Sequence, residues 1–127
     1  MAGTAYPVVA DPWFGARLFQ PVKRSISRGD YMYSAWLTPW GVAVLSGGGS
    51  GIFNYLAGGY IIRTAGWEEW TKAWPAITNK ATLKQQFDCH VAAGIYGIPF
   101  TQDYNLERFR ADRPNWLPGV WSHHCNW

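Results

Sequence analysis

Cys89 and Cys125 stand 36 positions apart, and the chain has no other cysteine. Their spacing fits neither a zinc site nor a CxxC redox pair. A disulfide between them is the simplest use, and two free buried thiols are the alternative. A bridge would tie a helix to the C-terminal tail and contribute roughly 4 kcal/mol in the chain-entropy model, a large share of the ~5–15 kcal/mol that holds a typical domain together. It would also imply an oxidising compartment.

Prolines and glycines set the second constraint. Pro7, Pro12 and Pro21, with Trp13, Phe14, Leu18 and Phe19 among them, predict an extended N-terminal arm over residues 1–22, packed across a single domain at 23–127. Apolar and polar residues alternate from Val22 to Ser27, Arg28-Gly29-Asp30 reads as a turn, and Tyr31 to Thr38 reads as a second strand, so a hairpin is expected. Within it Tyr31, Tyr33, Ala35 and Leu37 form the better core face, while Met32, Ser34, Trp36 and Thr38 point the other way. Arg-Gly-Asp is also an adhesion tripeptide, but its place suits a hairpin turn.

Pro39-Trp40-Gly41 breaks that strand, Val42–Leu45 can extend again, and Ser46–Gly51 is a Gly/Ser loop without the lysine of a phosphate loop. Gly58-Gly59 should end a short element at Ile52–Leu56 and leave Tyr60–Arg63 as a strand. Thr64 can cap a helix that Pro75 closes, with Trp67, Trp70 and Trp74 along one face. The next helix is expected at Leu83–Ala93, with Leu83, Phe87, His90 and Val91 inward, Lys84 and Asp88 outward, and Cys89 on the flank. Beyond Gly94, the residues Gly97, Pro99, Pro114, Pro118 and Gly119 forbid long helices, and Asp103 or Asn105 could start one short turn. The fold class is therefore α+β: a small antiparallel sheet, two short helices and a long extended, disulfide-tied C-terminal segment.

The chain is short enough for one core. Nine tryptophans among its 127 residues are too many for the centre alone, since each ring buries on the order of 150–250 Å² and its N–H needs a partner. Some should lie at the surface, and Trp67, Trp70, Trp116 and Trp121, with Arg108 and Arg110, are the candidate binding residues. A net charge of +3 favours anionic partners weakly, such as cell-wall glycan or anionic lipid. The cations are dispersed and no nucleic-acid motif accompanies them. No apolar run reaches the ~18 residues of a membrane span, and Met1-Ala2-Gly3-Thr4 lacks the pattern of a signal peptide, so the sequence reads as a mature form.

Chemistry has few handles. His90, His123 and His124 are the only histidines, and a Cys89–Cys125 bridge would draw them together as a weak three-ligand metal candidate. His90 with Glu107 or Asp88 is the weak acid–base candidate, although Glu107 beside Arg108 and Arg110 is better placed for an ion pair. No cofactor motif is present.

Three segments together resemble a known family. Gln86-Phe87-Asp88-Cys89-His90, then Tyr104-Asn105-Leu106-Glu107-Arg108-Phe109-Arg110, then Cys125-Asn126 resemble the pattern of the small secreted actinobacterial proteins catalogued as domain of unknown function 2599. Thr38-Pro39-Trp40-Gly41 and Gly66-Trp67-Glu68-Glu69 extend the resemblance over roughly residues 25–127. Tyr104, Arg108 and Val91 depart from the family's Trp, Pro and aromatic residue. The resemblance implies an exported, disulfide-bonded α+β domain and supplies no reaction. The function expected is a secreted module that binds a cell-envelope or host surface component, a bacteriocin-like toxin or toxin subunit included. The competing readings are a small secreted hydrolase using His90 with Glu107 or Asp88, and a structural subunit docking on a partner protein.

Overall fold

The computed structural model describes residues 17–46, 52–95 and 103–127. The arm before residue 17, the Gly/Ser stretch at 47–51 and the segment 96–102 lie outside the described residues, as do the readings made on them. The chain runs through β1 (Lys23–Ser27), β2 (Asp30–Trp36), α1 (Pro39–Leu45), α2 (Ile52–Ile61), α3 (Trp67–Ala73), α4 (Ala81–Ile95), β3 (Asp103–Glu107) and a single helical turn, α5 (Val120–His123). A π turn, Ile62–Gly66, joins α2 to α3, and a 3₁₀ turn, Pro75–Asn79, joins α3 to α4. The class is α+β, with more helix than the sequence pattern suggests.

The hairpin forms where alternation placed it. Arg28 and Gly29 both take positive φ, 52° and 80°, which makes a two-residue turn of the type whose twist matches the flanking strands. The sheet is antiparallel in the order β1-β2-β3. Tyr33 lies opposite Leu106 and Ala35 opposite Tyr104, and all four are buried on the face that the helices cover.

Several elements depart from the expected pattern. Thr38 accepts the Gly41 amide at 2.9 Å, and Pro39, whose missing N–H is no loss in a first turn, starts α1 where a strand was expected. Gly58-Gly59 does not end a short element but sits inside α2. A Cβ at Gly58 would lie 2.0 Å from the Val44 carbonyl oxygen and one at Gly59 2.6 Å from Ile95, so the glycines let α1 and α4 approach. Tyr60–Arg63 is consequently helical, and Thr64 caps nothing: its hydroxyl donates back to the Tyr60 carbonyl at 2.8 Å within the same helical run. Asp103 and Asn105 begin no turn and instead belong to β3.

The core gathers around Phe19, whose ring centroid is 5.5 Å from Trp70, 5.7 Å from Phe87 and 5.1 Å from Tyr104. Phe19 reaches this place because residues 17–22 run beside the end of β2. The Thr38 amide donates to the Leu18 carbonyl and the Gln20 amide to the Trp36 carbonyl. The Glu69 carboxylate on α3 accepts both the Leu18 and Phe19 amides, at 2.8 and 3.0 Å. Trp74 adds a bond from its indole N–H to the Val22 carbonyl. Trp70 is fully buried and Trp67 and Trp74 pack against the same core, so the three-Trp stripe is mainly interior.

α4 borders the sheet with side chains in place of a strand. The Gln86 carboxamide accepts the Glu107 amide at 2.8 Å and donates to the Glu107 carbonyl at 2.9 Å, which covers the outward edge of β3. Its second N–H bond goes to Thr82, whose hydroxyl donates to the Ala111 carbonyl. On α4's flank Cys89 is bonded to Cys125, and Ala93, Val120, Trp116 and Trp127 pack around the bridge as a second, smaller core.

Two outcomes test this architecture. Reducing agent is expected to raise the intact mass by two hydrogens, and Cys89→Ser/Cys125→Ser to lose about 4 kcal/mol in urea unfolding; an unchanged midpoint would contradict the staple. Gln86→Leu leaves the Glu107 amide and carbonyl without their partner and is expected to cost about 2–4 kcal/mol in the same assay.

Candidate functional site

The two faces of the sheet differ in what they meet. Tyr33, Ala35, Tyr104 and Leu106 pack on the helices, whereas none of the outward residues described is buried: Lys23, Ser25 and Ser27 on β1, Met32, Ser34 and Trp36 on β2, and Asp103, Asn105 and Glu107 on β3. The register sets Lys23, Ser34 and Asn105 in one row and Trp36 opposite Asp103. Trp36 is 53% exposed. The Asn105 amide donates to the Asp103 carboxylate at 2.9 Å, so these side chains are held in place. The Ser34 hydroxyl is enclosed with no hydrogen-bond partner among the described residues.

The opposite end of this face, at the hairpin turn, is closed by charge pairing. Arg108 binds Asp30 at 3.0 Å, and the Tyr31 amide at 2.7 Å together with Arg108 holds the Asp30 carboxyl below its ordinary range. Glu107 receives the Ser27 hydroxyl at 2.6 Å and Arg110 at 2.6 Å. Burial alone would raise the Glu107 pKa, but the bonds from Ser27 and Arg110 outweigh it and lower the value. Arg110 also grips the tail, donating to the main-chain oxygen of Trp127 at 2.6 Å. These arginines are structural clamps in this geometry.

The acid–base candidates are each engaged elsewhere. Glu107 is held by Arg110, and Asp88 pairs with Lys84 one turn back along α4. The half-buried His90 ring stacks on Tyr104, with centroids 5.0 Å and planes 22° apart, and bonds the Asn105 backbone. Desolvation lowers its pKa from 6.5 to about 4, against the opposing pull of the Asp103 charge. A neutral imidazole flanked by a carboxylate is basic chemistry in principle. Here it lies between α4 and β3 as packing, next to a Tyr104 phenol that burial pushes above its usual range.

The metal candidates do not meet. Among the described residues no three His, Cys, Asp or Glu side chains gather as a metal site. In His123, Nδ1 accepts the Cys125 amide at 2.8 Å, so Nε2 carries the proton it donates to the Trp116 carbonyl at 2.8 Å. Both nitrogens are spent shaping the turn in which His124 and Cys125 take positive φ, 48° and 63°. His124 lies in that same turn.

Of the candidate binding tryptophans, Trp70 is sealed in the core, Trp67 and Trp116 are half-buried, and Trp121 is 59% exposed. Trp36 and Trp40, outside that set, are 53% and 39% exposed. The strand alternation already turned Trp36 away from the core and was the signal to follow. No family model, curated protein or solved structure matches the chain.

His90 gives a pH signature. The folded state holds it neutral down to about pH 4 whereas the unfolded chain protonates near 6.5, so stability is complete above 6.5 and falls as pH drops towards 4. The loss between pH 6.5 and 5 should be about 1.5 kcal/mol, in a range where carboxylates change little. Urea titrations at the two pH values are expected to show it in the natural chain and not in His90→Gln; an equal loss in both would refute the assignment.

Proposed function

We propose that this protein is an exported binding module that holds a cell-envelope glycan against the outward face of its sheet, with Trp36 as the platform. The observation that carries the reading is the half-exposed Trp36 ring on a face where the Asn105 amide is held against the Asp103 carboxylate and Lys23 lies in the same row as Asn105. A sugar ring offers a C–H face that packs on an indole and hydroxyls that need both donors and acceptors, and Trp36, Asp103, Asn105 and Lys23 supply that set. Export is supported by the disulfide, which persists in oxidising compartments, and by the resemblance to secreted proteins. Among the described residues no helix is long and apolar enough to cross a membrane.

Sedimentation with purified cell-wall sacculi, followed by titration with wall-derived oligosaccharides, tests the reading. Trp36→Ala should weaken binding about tenfold or more, the scale of a central aromatic contact, while Trp121→Ala leaves it unchanged. Equal binding by the Trp36 variant, or no binding by the natural chain, would overturn the proposal.

A further inference from the structure

The sheet has two edges, and the protein treats them differently. The outer edge of β3 is covered by Gln86 and His90 from α4. On the outer edge of β1, no described residue plays that role. Because Ser27 and Asp30 close the two-residue turn, alternation gives the backbone groups of Ser27, Ser25 and Lys23 to β2 and directs those of Arg24 and Ile26 outwards. Lys23, Arg24, Ser25 and Ile26 are all exposed, and Ile26 is 65% exposed beside its cross-strand partner Tyr31 at 40%.

Charge selects what such an edge accepts. Lys23, Arg24 and Arg28 line it, while the acids beside it, Asp30 and Glu107, are already paired with Arg108 and Arg110. Arg24 is held in place, its guanidinium 4.2 Å from the Tyr31 ring and 4.6 Å from the Trp74 ring. A second copy joining edge to edge would crowd both sets of three cations into one seam, where like charges repel. An acidic strand meets the same edge with attraction, and its apolar residues find Ile26 and Tyr31.

We infer that β1 is a docking edge for an extended acidic peptide segment of a partner protein, which adds to the sheet as an outer strand through the backbone of Arg24 and Ile26. This edge adjoins the glycan face around Trp36 and shares Lys23 with it. Main-chain hydrogen bonds supply the affinity and the flanking cations the selectivity.

The test uses a fluorescent octapeptide of alternating Glu and Val. Two controls accompany it: the same peptide with Lys for Glu, and one with equal charge and a central Pro. The acidic peptide alone should bind, and amide exchange measured by NMR should slow at Arg24 and Ile26 on binding. Ile26→Pro removes an N–H that the β1–β2 ladder does not use, so it should weaken binding at least tenfold while keeping the hairpin. Should that variant lose its fold, the exchange protection in the natural chain decides. Equal binding of the Pro-interrupted peptide would reduce the effect to charge attraction and overturn the proposal. So would unchanged exchange at Arg24 and Ile26, absence of binding, or a concentration-dependent dimer that disappears in Ile26→Pro.

Discussion

The carboxamide of Gln86 stands where a fourth strand would otherwise be needed. A sheet of three short strands depends on packing its apolar face, and its outer backbone groups are costly if buried unpaired. By bonding both the amide and the carbonyl of Glu107, Gln86 lets an α-helix lie against the rim of the sheet without stranding those groups. Everything else on α4 takes its direction from that contact. Leu83, Phe87 and Val91 face the aromatic core, His90 follows Gln86 along β3 one turn on, and Cys89 is left on the flank that meets the tail. The two cores of this small domain are therefore two sides of one helix.

Much of this was legible because periodicity and chain punctuation act locally. Alternation in Tyr31–Thr38 assigned the core face of β2, and the spacing of Leu83, Phe87 and Val91 assigned that of α4. Two cysteines without a metal or redox spacing pointed to the bridge that is present. What could not be read depends on distant approach. Gly58 and Gly59 look like helix breakers until Val44 and Ile95 are seen against them, and Glu69 looks like a favourable first-turn charge until Leu18 and Phe19 arrive at its oxygens. Gln86 carries no sequence mark of its role, since a glutamine on a helix is ordinarily solvated.

The site shows the same division. Placing the three histidines near a disulfide was a chain-distance argument, and it passed over the competition that backbone groups exert for imidazole nitrogens. His123 is consumed by the Cys125 amide and the Trp116 carbonyl, and His90 by β3 and Tyr104. Trp67 and Trp70 are among the candidate binding residues, yet helical amphipathicity is the pattern that buries rings, and their stripe reads as core and is mainly core. A ring on the outward side of a strand whose inward side is already filled has no core to enter, and Trp36 is that ring.

The π turn between α2 and α3 inserts one residue into what would be a regular helix. The wider i→i+5 turn absorbs that residue locally, so α3 keeps nearly the phase it would have in an uninterrupted helix one residue shorter. On α3, Trp70 faces Phe87 while Glu69, its neighbour, reaches the Leu18 and Phe19 amides. Identity in this segment is constrained at both ends: Ile62 is fully buried in the core, and a Cβ at Gly66 would lie 2.9 Å from the Phe19 ring.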